Sequence, residues 1–139
     1  MTPKEYLSQT FYLDHMITNR KKDIEYWDRF AESMFNVKLK DVKNNSRLQD
    51  MPFGASISEI LKIQETDYQI IADVIKLQRE INDRIDSLTD LSERLVLRYR
   101  YIQKMSWDNI DNLMHAARST IFRIHKSALS HFEVPAENS

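Results

Sequence analysis

Ser106-Trp107-Asp108-Asn109-Ile110-Asp111-Asn112-Leu113-Met114, then His115-Ala116-Ala117, then Arg118-Ser119-Thr120-Ile121-Phe122-Arg123-Ile124-His125-Lys126-Ser127-Ala128-Leu129 is the stretch whose reading decides the fold. Ser106 is a hydroxyl cap, Asp108 and Asp111 suit the positive start of a helix, and Trp107, Ile110, Leu113 and Met114 fall on one inward face. After the break at His115, Ile121, Ile124, Ala128 and Leu129 form the inner stripe of a second helix. Its opposite face carries Arg118, Ser119, Thr120, Phe122, Arg123 and Lys126. Short helix, tight turn and basic helix is the order of a helix-turn-helix, whose second helix enters the major groove. There Arg bonds guanine edges bidentately, while Ser, Thr and Lys hold phosphates or bases.

Immediately upstream, Thr89 to Ile102 begins with a cap candidate and places Leu91, Leu95, Leu97, Tyr99 and Ile102 where a scaffold helix needs apolar contacts. Charge concentrates here too. From Ser92 to His131 there are seven Lys or Arg against three acids, net +4, whereas residues 1–91 hold 13 basic and 16 acidic groups, net −3. The overall charge of −1 hides this asymmetry.

The run Leu97-Arg98-Tyr99-Arg100-Tyr101-Ile102, the run Ser106 to Ile110 and the run Arg118 to Leu129 resemble the fourth region of bacterial sigma factors. They resemble still more the sigma-like C-terminal domains of small phage and prophage proteins from Gram-positive bacteria, of the ArpU and RinA late-activator kind. Lys4-Glu5-Tyr6-Leu7, Asp50-Met51-Pro52 and Glu80 to Leu88 are similar to the same group, so the resemblance spans nearly the whole chain. It implies that Arg118, Ser119, Thr120, Phe122 and Arg123 face DNA bases, with Lys126 nearer the backbone. It also implies contact with RNA polymerase and a promoter-proximal role.

The sequence departs from that pattern at Asp111, where the motif usually has alanine, and at His115, where glycine often makes the turn. A carboxylate in that crevice needs a partner. Asp111 and His115, four apart, can pair with each other, or Asp111 can accept bonds from the start of the next helix. Trp107, in step with Ile110 and Met114, reads as core rather than a stacking platform for bases. Phe122 reads equally as a ring touching a thymine methyl or one packed on the scaffold helix. Arg94, Arg98, Arg100 and Lys104 read first as a solvated charge row and second as phosphate or polymerase contacts.

Toward the N-terminus, Thr2-Pro3-Lys4-Glu5 is a helix start with hydroxyl cap, proline at the first position and a capping glutamate. Tyr6, Thr10, Leu13, Ile17, Arg20, Ile24, Trp27, Ala31 and Met34 then recur at alternating intervals of four and three, the seam of a coiled-coil helix. The pattern lapses over 36–56, where Pro52 and the chain's single glycine, Gly54, concentrate. It resumes at Ile57, Ile60, Gln64, Asp67, Ile71, Val74, Gln78, Ile81, Ile85 and Leu88, with Ser56 or Ser58 as cap. Two such helices predict an antiparallel hairpin, since neither stays folded with its stripe in water. The polar members Gln64, Gln78 and Asn82 either set register or partner number or are partly exposed positions.

The expected fold is all-α: a long coiled-coil-like hairpin over 1–88 with its loop at 36–56, a helix-turn-helix over 89–132, and a flexible tail over 133–139. One glycine and three prolines leave little for sheet turns, and the absence of cysteine excludes disulfides and thiolate metal sites. The histidines, 15, 115, 125 and 131, lack helical zinc-site spacing, and no Gly-rich phosphate loop or nucleophile elbow occurs. A bacterial cytoplasmic transcriptional regulator, an activator without catalysis or cofactor, is therefore expected. Its expected partners are double-stranded DNA, RNA polymerase and a second copy, with no membrane and no small-molecule substrate. Two alternatives stand beside it. One is a protein-interaction module with a degenerate helix-turn-helix, contacting polymerase or a host regulator; the other is a small-terminase-like packaging protein.

Overall fold

The computed structural model describes residues 1–42 and 53–136, with side chains described at 1–36 and 57–136. Every element in them is helical: α1 (Pro3–Ser8), α2 (Thr10–Val42), α3 (Phe53–Asp86), α4 (Leu91–Leu97) continued by a π-helical turn (Arg98–Ile102), α5 (Trp107–Met114) and α6 (Arg118–His131). The all-α architecture with a long N-terminal helix agrees with the sequence.

The Thr2 side chain caps α1 by accepting from the Glu5 N–H, and Pro3 opens the helix. The long helix expected from there is interrupted at Gln9. The Thr10 hydroxyl donates to the Leu7 carbonyl at 2.9 Å, a back-bond that loosens the turn, and α2 restarts at once. A second correction concerns the loop expected over 36–56. α2 continues to Val42 and α3 starts at Phe53, ahead of the cap candidates Ser56 and Ser58. Residues 37–42 lack apolar periodicity but also lack Gly and Pro, so nothing in them stops a helix. The rest of that expected loop, 43–52, lies outside the described residues.

Packing divides the chain into two compact units, residues 16–74 and residues 1–15 with 75–139. In the first, α2 and α3 run antiparallel: Arg20 pairs with Asp67 at 3.1 Å, and Gln64 donates to the Ile24 carbonyl at 3.1 Å and to Asp28 at 2.6 Å. Ile24, Ile60 and Val74 are buried with them. Gln64 is thus a buried polar group satisfied inside its own hairpin. Asp67, 1% exposed, is held by the Arg20 guanidinium on one oxygen.

In the second unit α4 packs along α6, α5 packs on α6 and on the π turn, and α1 lies against α6. Its core is Leu7, Ile81, Ile85, Val96, Leu97, Tyr101, Ile110, Ile121 and Ala128, all at 2% exposure or less. The Tyr6 and Phe132 rings meet at 5.7 Å, both buried. Burial lifts the Tyr6 hydroxyl to about 12, helped by the nearby Glu80 charge. Past α6 the chain stays engaged: Arg84 donates to the Glu133 carbonyl at 3.0 Å, and Val134 and Pro135 are half-buried. Residues 137–139 of the expected tail lie outside the described residues.

Two inward assignments are corrected. Leu91 at 63% exposure and Leu113 at 50% face water. Leu91 is the first residue of α4, and buried Glu93 occupies the inward place in that turn. Glu93 accepts from Ser127 Oγ at 2.6 Å and pairs with His131 Nδ1 at 2.9 Å, tying the start of α4 to the last turns of α6.

Candidate nucleic-acid interface

The Ser106 side chain caps α5 by accepting from the Asn109 N–H at 3.2 Å. The helix closes on His115, which adopts the left-handed conformation at φ 52 and ψ 45. The Ala116 N–H reaches back to the Asp111 carbonyl at 3.1 Å, and that of His115 reaches the Asn112 carbonyl at 3.4 Å. This pair of bonds closes a helix around a left-handed residue, and glycine normally supplies it without steric cost. The turn therefore keeps its shape although histidine occupies the position.

α6 opens at Ala117, whose carbonyl accepts from the Thr120 and Ile121 N–H groups at 3.0 Å each, with no side-chain cap. Ile121 and Ala128 are fully buried and Ile124 and Leu129 half-buried, as the sequence predicts. At 100° per residue, Ser119, Phe122, Arg123, Lys126 and Ser130 then form the outward stripe, with Arg118 and Thr120 on its flanks. Ser119, Arg123 and Lys126 are exposed and Phe122 is 45% exposed, whereas Thr120 is half-buried. Ser130 is missing from the sequence-derived set, although its i+4 step from Lys126 marks it.

Arg118 differs from the other candidates. Its Nε donates to Asp111 at 2.7 Å, its Nη2 pairs with Asp108, and its guanidinium lies 5.6 Å from the Phe122 ring centre. Asp111 chiefly, then Asp108, raise its affinity for its proton above the ordinary arginine value. Asp111 thus pairs with the side chain that starts the next helix and not with His115. Its other oxygen is buried with no hydrogen-bond partner among the described residues. Arg123 and Lys126, by contrast, make no ion pair or hydrogen bond among the described residues.

Behind the stripe lies an aromatic layer. Trp107 meets Phe122 edge-on at 5.2 Å and His125 at 4.9 Å, and His125 stacks on Tyr101 with Nε2 2.9 Å from the Tyr101 hydroxyl. Arg100 lies over Trp107 at 4.8 Å and over Phe11 at 5.2 Å while donating to the Met105 carbonyl. Burial pushes the His125 ring down to about 4, with the charges of Lys4 and Arg100 adding to it, so it is neutral and structural near neutral pH. The scaffold row is likewise engaged: Arg98 bonds Asn82 and Asp86, and Lys104 pairs with Asp14. Arg98, Arg100 and Lys104 are thus bonded within the fold, not a freely solvated row.

Among the described residues no cluster of three or more metal-ligating side chains occurs, and no helix is long and apolar enough to cross a membrane. Comparison with curated proteins and with solved structures finds no significant match. A family described as "Protein of unknown function (DUF1492)" matches residues 56–133, a span that takes in α4, α5, the turn and α6. That match covers more than half of the chain, and the protein belongs to the DUF1492 family.

Proposed function

We propose that the protein is a transcriptional regulator, an activator of the sigma-like phage kind, that binds double-stranded DNA through α6. The observation that carries this reading is the pair of exposed, unengaged cations Arg123 and Lys126 on one face with Ser119 and Phe122. The two acids at the start of that face, Asp108 and Asp111, share the Arg118 guanidinium, which offsets part of their charge. Phosphate neutralisation by Lys126 makes binding salt-dependent, and Arg123, with Ser119 beside it, reads base edges. Within this reading Arg118 is a positioning residue that fixes the start of α6, and Phe122 offers the exposed part of its ring.

The test is fluorescence anisotropy with duplexes selected from a random pool by the full-length protein. Arg123→Ala is expected to cost about 1 to 3 kcal/mol and to relax base preference. Lys126→Ala weakens all duplexes alike and lowers the salt slope by about one. If the parent enriches no sequence and both variants bind as it does, the reading is wrong. A second reading, a protein-binding module, draws on one observation: Arg118, the first cation of α6, is occupied by its own neighbours. Retained polymerase binding with no DNA preference would favour it.

A further inference from the structure

The α2–α3 hairpin of residues 16–74 buries a carboxylate that it satisfies only by half. Asp67, 1% exposed, accepts from the Arg20 guanidinium on Oδ1 at 3.1 Å, while its Oδ2 is buried and meets no donor among the described residues. The nearest amide on α3, that of Gln64, is taken by the Ile24 carbonyl and Asp28. Arg20 and Asp23 stand three apart on α2, so both reach the same place on the facing helix. Asp23 accordingly comes within hydrogen-bond reach of Asp67. It borders a small cleft there with Met16, Asn19 and Arg20. Two bare carboxylates cannot bond each other, because neither carries a hydrogen, and a buried oxygen left without a donor destabilises the fold.

We propose that Asp23 and Asp67 share one proton, the acid form of Asp23 supplying the donor that Asp67 lacks, so that the pair is an acid-tightened clasp between α2 and α3. The surrounding groups suit a proton better than a metal ion. Arg20 and Trp27 face Asp23 from α2 and Asp67 faces it from α3, and these helices are the only described elements of the unit. The Arg20 guanidinium already offsets one of the two negative charges. No third acid or histidine joins the pair among the described residues, which leaves a metal short of ligands. A shared proton needs only the two carboxyls.

The bond to Asp67, and after it the Asp67 charge, raise the Asp23 carboxyl above the ordinary aspartate range, while Arg20 and Trp27 pull the other way. A carboxyl raised in the fold holds more protons there than in the unfolded chain. Its contribution is therefore complete below about pH 4 and is lost as the pH rises through the raised value. Acid tightens the hairpin through this pair, in the sense opposite to that of a salt-bridged carboxylate.

Carboxyl-carbon NMR of the full-length protein follows Asp23 directly, and amide hydrogen exchange in residues 16–36 and 57–74 follows the hairpin. Asp23 is expected to titrate with a midpoint above about 4, and Asp67→Asn to bring that midpoint down. Asp23→Asn, whose amide donates at every pH, slows exchange in the hairpin severalfold at pH 7, and its lead over the parent closes as the pH falls toward about 4. Misfolding cannot produce such a gain in protection. An Asp23 midpoint in the ordinary range, or exchange in Asp23→Asn at pH 7 that equals or exceeds the parent's, overturns the proposal. Protection that millimolar calcium raises in the parent but not in Asp23→Asn overturns it as well, by putting a metal ion in the place of the proton.

Discussion

His115 holds a left-handed backbone at φ 52, where a Cβ crowds the following carbonyl at a cost of roughly 1 to 2 kcal/mol. The two bonds that close α5 around it, and the burial of Ile110 and Ile121 on either side, keep it there. His115→Gly is therefore expected to stabilise the fold by about 0.5 to 1 kcal/mol, the relieved strain being partly offset by the greater freedom of glycine in the unfolded chain. Thermal or denaturant midpoints check it, and an unchanged or lower midpoint would show that the histidine side chain contributes something of its own. His125 presents a different residue-scale effect. Its ring, pushed down to about 4 by burial and then by Lys4 and Arg100, stays neutral in the fold while an unfolded histidine takes up a proton below about 6.5. The unfolded state then binds more protons between those values, so the contribution of His125 is complete above pH 6.5 and is lost as the pH falls toward 4. Allowing for the partly exposed ring, the loss is about 1 to 2 kcal/mol. His125→Phe flattens that slope, as read from urea midpoints at a series of pH values.

At the scale of elements the decisive contact is between α5 and the first residue of α6. Asp108 and Asp111 hold Arg118 beside the outward stripe, so one arginine is engaged by two acids and offsets part of their charge. Asp111→Ala removes a buried unpaired oxygen and leaves Arg118 only its exposed partner Asp108. Under the proposed function, this variant is expected to bind every duplex more tightly and to raise the salt slope by about one without sharpening base preference. Unchanged affinity and slope would mean that Arg118 stays away from DNA for other reasons. This clamp also shows what was legible in the sequence. The seams of α2 and α3, the Ser106 cap and the inner stripe of α6 follow from periodicity and hydroxyl placement, because local rules suffice for them. The widened turn after α4, where the Gln103 N–H reaches Arg98 O at 2.9 Å, has no sequence signature, since the stacking of Arg100, Trp107 and Phe11 that accompanies it joins three separate elements. The partner of Asp111 was open for the same reason: His115 and the start of α6 were both within reach, and only the tertiary turn chooses. The exposure of Leu113 was hidden because α5 is short enough for one side to remain bare.

On the scale of the whole molecule, the unit that holds the candidate interface is assembled from both ends of the chain. Residues 1–15 lie far from α6 in sequence, yet Leu7 is fully buried in that unit, Tyr6 and Leu13 nearly so, and Tyr6 covers Phe132 just beyond the last turn of α6. Fully burying each such side chain stabilises by about 1.5 to 3 kcal/mol, so the three together contribute roughly 5 to 9 kcal/mol. That is comparable with the entire 5 to 15 kcal/mol of a typical domain. The family segment 56–133 contains α4, α5 and α6 but not Tyr6, Leu7 or Leu13. A chain starting at residue 16 is therefore expected to lose near-ultraviolet circular dichroism from its aromatic layer and to bind a hydrophobic dye, even though α4, α5 and α6 are intact in sequence. Adding a peptide of residues 1–15 at high concentration should restore part of the signal, and a Tyr6→Ala peptide should restore less. A shortened chain that melts like the parent would show that the cover supplied by α1 is dispensable and that the C-terminal helices carry their own core.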